Sequence, residues 1–205
     1  RMCETQNDIL TKALTSYLNI ALEIAEDLGG FSFAYENVPW SAVNQYTQNS
    51  IPVELPKMLV GNTWFGQIQD LGTAVPVVDR VKNLAEDVTC TVFQRMNANG
   101  DMIRVATNVI KSDGTRAIGT YIPRTNPDGK ANPVVSEVLR GQTFSGRAFV
   151  VDRWYLTSYE PIYNKDKYIV GMLYVGIPQE SVVSLRTAIM DTKVAQTAYV
   201  FVLNS

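Results

Sequence analysis

The stretch Thr89-Cys90-Thr91-Val92-Phe93-Gln94, followed by Asn97-Ala98-Asn99-Gly100-Asp101 and then by Ile103 to Ile110, decides the fold. Two runs rich in β-branched and aromatic residues flank a cluster of turn formers, and that pattern predicts an antiparallel hairpin. Downstream, Lys111-Ser112-Asp113-Gly114 reads as a turn. Asn132-Pro133-Val134-Val135 is a cap with Pro in the first helical turn, and Val138, Leu139 and a Gly141 stop complete a short helix. Phe144 to Val151, Trp154 to Tyr163 and Tyr168 to Gly176 read as further strands, the last two joined by the polar turn Asn164-Lys165-Asp166-Lys167. The order helix, helix, β, β, helix, β, β, β predicts an α+β layer fold, with an antiparallel five-stranded sheet, a crossover helix and a long N-terminal helix on one face.

Upstream, Leu10, Leu14, Tyr17, Ala21, Ile24 and Leu28 recur at spacings of four and three. They predict an amphipathic helix from Asn7, a plausible cap, to Leu28, stopped by Gly29-Gly30; at ~1.5 Å per residue it is about 33 Å long. Such a stripe suits packing on a sheet, pairing with a second copy, or continuation into a membrane anchor. Phe31 to Gly72 carries aromatics punctuated by Pro39, Pro52 and Pro56, which favours short helix, loop and weak strand. Val77, Val78, Val81, Leu84 and Ala85 give helical spacing after Pro76, whose fixed φ suits a first turn. Pro178 to Ala195 is again helical in pattern, and Ala198 to Leu203 is a strand-like run with nothing to pair it, as expected where the sequence stops inside another module.

Composition narrows the chemistry. The 205 residues are 46% apolar, enough for a core, and 18 Lys and Arg against 20 Asp and Glu leave no cationic excess for a nucleic acid. Histidine is absent, which removes Ser-His-Asp and Cys-His nucleophile systems, His-ligated zinc and any imidazole switch. Two cysteines, Cys3 and Cys90, are too few for a disulfide framework or a closed metal site. No run approaches the ~20 apolar residues of a membrane span. Gly114-Thr115-Arg116-Ala117-Ile118-Gly119 is only loosely a glycine loop and reads as a strand-connecting turn. No catalytic residue, metal site or cofactor is expected.

The stronger pattern is cations and aromatics interleaved on strands. Alternation places Tyr155, Thr157, Tyr159 and Tyr163 on one face; it groups Ser145, Arg147 and Phe149, and likewise Arg104, Ala106 and Asn108. Guanidinium forks, amides and phenols converging on a concave sheet suit a small carboxylate held against an apolar wall. Taken singly, each Arg is more often solvated or salt-bridged, and each Tyr more often half-buried packing.

Several segments together resemble the Cache family of extracytoplasmic, PAS-like sensor domains, of the Cache-3 or fused double-Cache type. They are Thr91 to Gln94, Arg104 to Val109, Gly114 to Thr120, Gly141 to Ala148, Tyr159-Glu160-Pro161-Ile162-Tyr163 and Ile169 to Gly176, in that order. The resemblance runs from about Pro56 to Pro178. It implies residues 1–55 as a long helix with a short helical and loop region, 56–178 as the sensor domain, and 179–205 as the helix and first strand of a following module. It also implies a ligand pocket on the sheet face opposite the long helix, with contacts at Asn108, Lys111, Arg116, Arg147, Phe149, Tyr155, Thr157 and Tyr159.

Relatives that sense citrate and dicarboxylates carry an Arg where Thr157 stands and a His near Lys111; both are missing here. A smaller acid of the acetate, propionate, pyruvate or lactate class is therefore the expected ligand. The implied setting is the periplasmic part of a methyl-accepting chemotaxis protein, with one membrane span before Arg1, another after a second module following Ser205, and a homodimer in the full receptor. The input domain of a sensor histidine kinase or diguanylate cyclase would share this fold. The rivals of other classes are a soluble enzyme using Ser, Lys or carboxylates, and a pure dimerisation module.

Overall fold

The computed structural model describes residues 2–183. Helix α1 (Met2–Asp27) lays Leu14, Leu18, Ala21 and Ala25 on the core, with Leu10, Tyr17, Ile24 and Leu28 packed around them. The apolar stripe is thus occupied within the chain. The helix begins earlier than the sequence suggested, so Asn7 lies inside it and does not cap it. It stops as expected: Gly29 and Gly30 take φ of 110° and 76°, and the Gly30 N–H closes on the Ala25 carbonyl at 2.8 Å, a turn that favours glycine.

Phe31 to Gly72, read as short helix, loop and weak strand, is built mainly of strand, and no helix forms there. Two long strands, β1 (Phe31–Asn44) and β2 (Ser50–Val60), form an antiparallel hairpin, and the short β3 (Thr63–Trp64) pairs with the end of β2. The three prolines stand inside it, where both strands have an open edge: β1 meets its other neighbour only at Val43 and Asn44, and β2 meets β3 only at Leu59 and Val60. A missing N–H donor costs little along an unpaired edge.

Helix α2 (Val78–Leu84) starts two residues after Pro76, because Val77 takes φ 67° and breaks the turn that would have included the proline. Strands β4 (Thr89–Arg95) and β5 (Met102–Thr107) are the expected hairpin. The short β6 (Thr120–Ile122), unforeseen, pairs with β5 and runs parallel to the end of β1. Helix α3 (Pro133–Leu139) is capped as expected, the Asn132 side chain accepting from the Val135 N–H. Strands β7 (Phe144–Val150), β8 (Arg153–Tyr163) and β9 (Ile169–Pro178) follow.

The sheet order is β3-β2-β1-β6-β5-β4-β9-β8-β7. The five strands read from sequence form the contiguous block β5-β4-β9-β8-β7, and the first hairpin with β6 extends it to nine strands. Alternation sorts the core onto two faces. Leu173, Val175 and Ile177 of β9 join α1 and α2, whereas Met172 and Tyr174 join Tyr155, Tyr159 and the valines of α3. Cys90 is buried and unpaired, and burial raises its thiol pKa far above the ordinary range, so it acts as a small apolar residue. A helical turn begins at Gln179; the expected helix beyond residue 183 and the strand-like run Ala198 to Leu203 lie outside the described residues.

Candidate functional site

On the α3 face of the sheet, opposite α1, a cavity of about 390 Å³ opens between the end of β1, the α3 N-terminus and strands β7 and β8. Its aromatic wall is continuous: Tyr46 stacks on Phe149 at 5.9 Å, and Phe149 meets Trp154 edge-on at 5.8 Å. Arg147 lies over the Trp154 ring at 4.5 Å, holding a cation at the wall. Asn132 and Asn126 contribute polar atoms; the Asn132 amide donates to the Tyr46 hydroxyl and to Asn126, which fixes the α3 end of the cavity.

Gln45, the first residue after β1, forms part of the lining and leads to a charge behind it. Its side-chain oxygen accepts from Arg104 Nη2 at 2.8 Å, and its amide donates to the Phe149 carbonyl at 3.3 Å. Arg104, on β5, has no exposed surface. Its other hydrogen bond, Nη1 to the Thr120 hydroxyl at 2.9 Å, brings it to two for a group with five donors, and Nε is buried with no acceptor. The guanidinium lies 4.8 Å from the Phe93 ring centroid, beside the phenols of Tyr159, Tyr174, Tyr46 and Tyr155, and no carboxylate among the described residues pairs with it. Burial pushes its pKa below the ordinary arginine value, and the neighbouring phenols oppose that shift. The Tyr159 hydroxyl is also buried without a partner, its pKa raised by burial. A buried cation with no counter-charge is costly, by several kcal/mol per ion, unless something compensates it.

The eight residues carried over from the resemblance do not converge on one point. Arg147 and Phe149 line the cavity. Tyr159 is buried behind it, 4.9 Å from Tyr174 and 6.2 Å from Phe93, and Thr157 is buried with its hydroxyl donating to the Gly146 carbonyl. Asn108, Lys111 and Tyr155 border a different hollow, of about 300 Å³, with Arg153. Asn108 is committed to the backbone there, accepting from the Cys90 N–H at 2.7 Å and donating to the Val78 carbonyl at 2.8 Å. Lys111 pairs with Asp113 at 3.0 Å. The Thr115 hydroxyl and N–H, helped by Lys111, hold that carboxyl down to about 2.

Arg116 is spent elsewhere. Its Nη1 and Nη2 each meet an Asp79 carboxylate oxygen at 2.9 Å, and the same guanidinium donates to the carbonyls of Asp70, Thr107 and Thr73. It pins the loop before α2 to the end of β5. Arg116→Met leaves Asp79 without its cation, and because Asp79 is partly exposed the loss falls at the lower end for a broken buried pair, about 3 kcal/mol. The melting temperature is expected to fall by roughly 6–12 °C while ligand affinity stays unchanged, readable by thermal unfolding and calorimetry on one preparation.

The residue that sequence reasoning grouped but did not place in the site is Arg104. The available signal was its setting, a lone cation inside Met102-Ile103-Arg104-Val105-Ala106, a strand with every residue buried.

The whole chain, residues 1–205, matches the family profile of the Cache 3/Cache 2 fusion domain. It belongs to the Cache family. Cache domains are extracytoplasmic sensor domains, and the α+β architecture, with its long first helix and mostly antiparallel sheet, agrees with that membership. The match takes in the hairpin β1–β2 as well as the segment that carried the resemblance. No curated protein sequence matches the chain. Among the described residues no helix is long and apolar enough to cross a membrane.

Proposed function

We propose that this Cache domain is the periplasmic ligand-binding part of a transmembrane chemoreceptor, and that it binds a small monocarboxylate on Arg104 inside the aromatic cavity. The observation that carries the reading is a fully buried guanidinium with a free Nε–H and no carboxylate partner among the described residues, directly behind a lined cavity. One uncompensated buried charge favours one carboxylate, because a second would have no desolvated cation of its own. Arg147, at the wall, is already engaged with Trp154. At about 390 Å³ the cavity is near the lower limit of small-molecule sites, which suits acids of the acetate, propionate, pyruvate and lactate class and their slightly larger homologues. In the full receptor two copies associate, and closure of the site around the ligand shifts the balance between two arrangements of the terminal elements.

A thermal-shift screen of C2 to C6 organic acids against amino acids, sugars and amines tests this. Acids should give the largest stabilisation; stabilisation by amines or sugars alone contradicts the reading.

The pH dependence is set by the ligand. The domain has no histidine, and burial raises the phenols of Tyr155, Tyr159 and Tyr174, so they stay neutral through the neutral range. Only the ionised acid pairs with Arg104. Affinity is therefore expected to be flat between about pH 6 and 9, then to weaken about tenfold per pH unit below the acid's own pKa of roughly 4. Calorimetric titration across that range checks it; a step near neutrality contradicts it.

A further inference from the structure

We propose that Gln45 is a built-in competitor for the anion position on Arg104, and that it sets the affinity of the site by yielding that position to the ligand. The proposal rests on the carboxylate reading above. Gln45 is 2% exposed, yet it belongs to the cavity lining, so it stands between the cavity and the guanidinium. Its side-chain oxygen takes one arm of Arg104 at 2.8 Å, a good acceptor distance for a charged donor. Its amide is held on the other side only by a long bond, 3.3 Å to the Phe149 carbonyl. A neutral amide oxygen is a weaker acceptor for a guanidinium than a carboxylate, which adds charge–charge attraction and takes two N–H groups at once. Nε of Arg104, now without any acceptor, offers the second bond that the single amide oxygen does not fill. An acid entering the cavity therefore gains by exchange, replacing one bond to a neutral acceptor with two to a charged one.

The exchange has a structural consequence. The Gln45 N–H donates to the Tyr121 carbonyl of β6 and its side chain reaches Phe149 of β7, so this residue ties the turn between β1 and β2 to both walls of the site. Displacing the side chain breaks the tie to β7 and keeps the backbone tie to β6.

The test compares Gln45→Ala and Gln45→Glu by calorimetric titration at pH 7.5, using the acid that stabilises the wild type most. Removing the competitor in Gln45→Ala should leave affinity at least as high as in the wild type. Gln45→Glu places a tethered carboxylate on Arg104 and should weaken binding by tenfold or more. A purely structural role for Gln45 would weaken binding in the Ala variant and leave the isosteric Glu variant near the wild type, the reverse order.

Tenfold loss in Gln45→Ala, or wild-type affinity in Gln45→Glu, overturns the proposal. So does a Gln45→Glu chain that fails to fold, since the position is then unable to hold a carboxylate. Arg104→Met separates the two layers. If wild-type binding depends on Arg104 but the Gln45 variants fall in the wrong order, this inference alone fails. If Arg104→Met binds the acid as well as the wild type, or no acid binds the wild type, the carboxylate reading fails and takes this inference with it.

Discussion

Arg104→Met is expected to bind small carboxylates about 100-fold more weakly than the wild type while keeping its fold. Deleting one partner of a buried charge pair costs about 3 kcal/mol or more, which converts to roughly that factor. Methionine keeps an unbranched, flexible stem for the apolar contacts, including the Phe93 ring 4.8 Å away, and it removes a charge that is uncompensated without ligand. The ligand-free variant should therefore melt no lower than the wild type, and only the shift produced by the acid should vanish. Calorimetry and thermal unfolding on one preparation read both quantities. An affinity within threefold of the wild type would show that Arg104 is a structural tie between β5, β6 and the end of β1 and no more.

A large effect on stability is expected at Gly171, on β9 opposite Gln94 of β4. A Cβ placed there would lie 2.1 Å from the Phe93 carbonyl oxygen and 3.2 Å from its carbon, so the obstacle is backbone in the middle of the sheet. No rotamer change relieves it; β4 and β9 must move apart, straining the ladder that joins the β4–β5 hairpin to the last three strands. Gly171→Ala is expected to cost about 4 kcal/mol, above the usual range for overpacking, and to lower the melting temperature by roughly 8–16 °C. Gly72→Ala is the matched control, since its added Cβ meets only the Asp70 side chain at 3.5 Å, and a change of at most about 0.5 kcal/mol is expected. Equal melting temperatures for the two variants would show that the sheet tolerates the insertion.

The sequence carried the block β5-β4-β9-β8-β7, one end of the sheet, because its signals are local. Asn97 to Asp101 marks a turn, Asn132-Pro133 starts a helix and Asn164 to Lys167 closes a hairpin, each within a few residues. The hairpin of β1 and β2 gave no such signal. Its burial pattern lacks clean alternation, Tyr35 points fully into solvent, and its prolines sit where only the tertiary arrangement makes them harmless, on strand edges left open. β6 is three residues long, below what periodicity detects, and depends on β5 and β1 for its partners.

The site was legible in kind and not in place. Cations and phenols on alternating strand positions indicated an anion site, but which cation faces it depends on who else bonds them. Arg116 has Asp79, Lys111 has Asp113 and Asn108 has two backbone partners, all of them tertiary facts. Arg104 is left without a carboxylate among the described residues, and Gln45, the residue that touches it from the cavity, comes from a stretch read as short helix, loop and weak strand.

A crystal structure of the domain with the most stabilising acid bound shows whether the carboxylate sits on Arg104. Carboxylate oxygens are expected within about 3 Å of the Arg104 guanidinium, Nε included, with the rest of the acid against Tyr46 and Phe149. An acid seated instead in the hollow beside Asn108, Lys111 and Arg153, or held by Arg147 while Gln45 keeps its bond to Arg104, would contradict it.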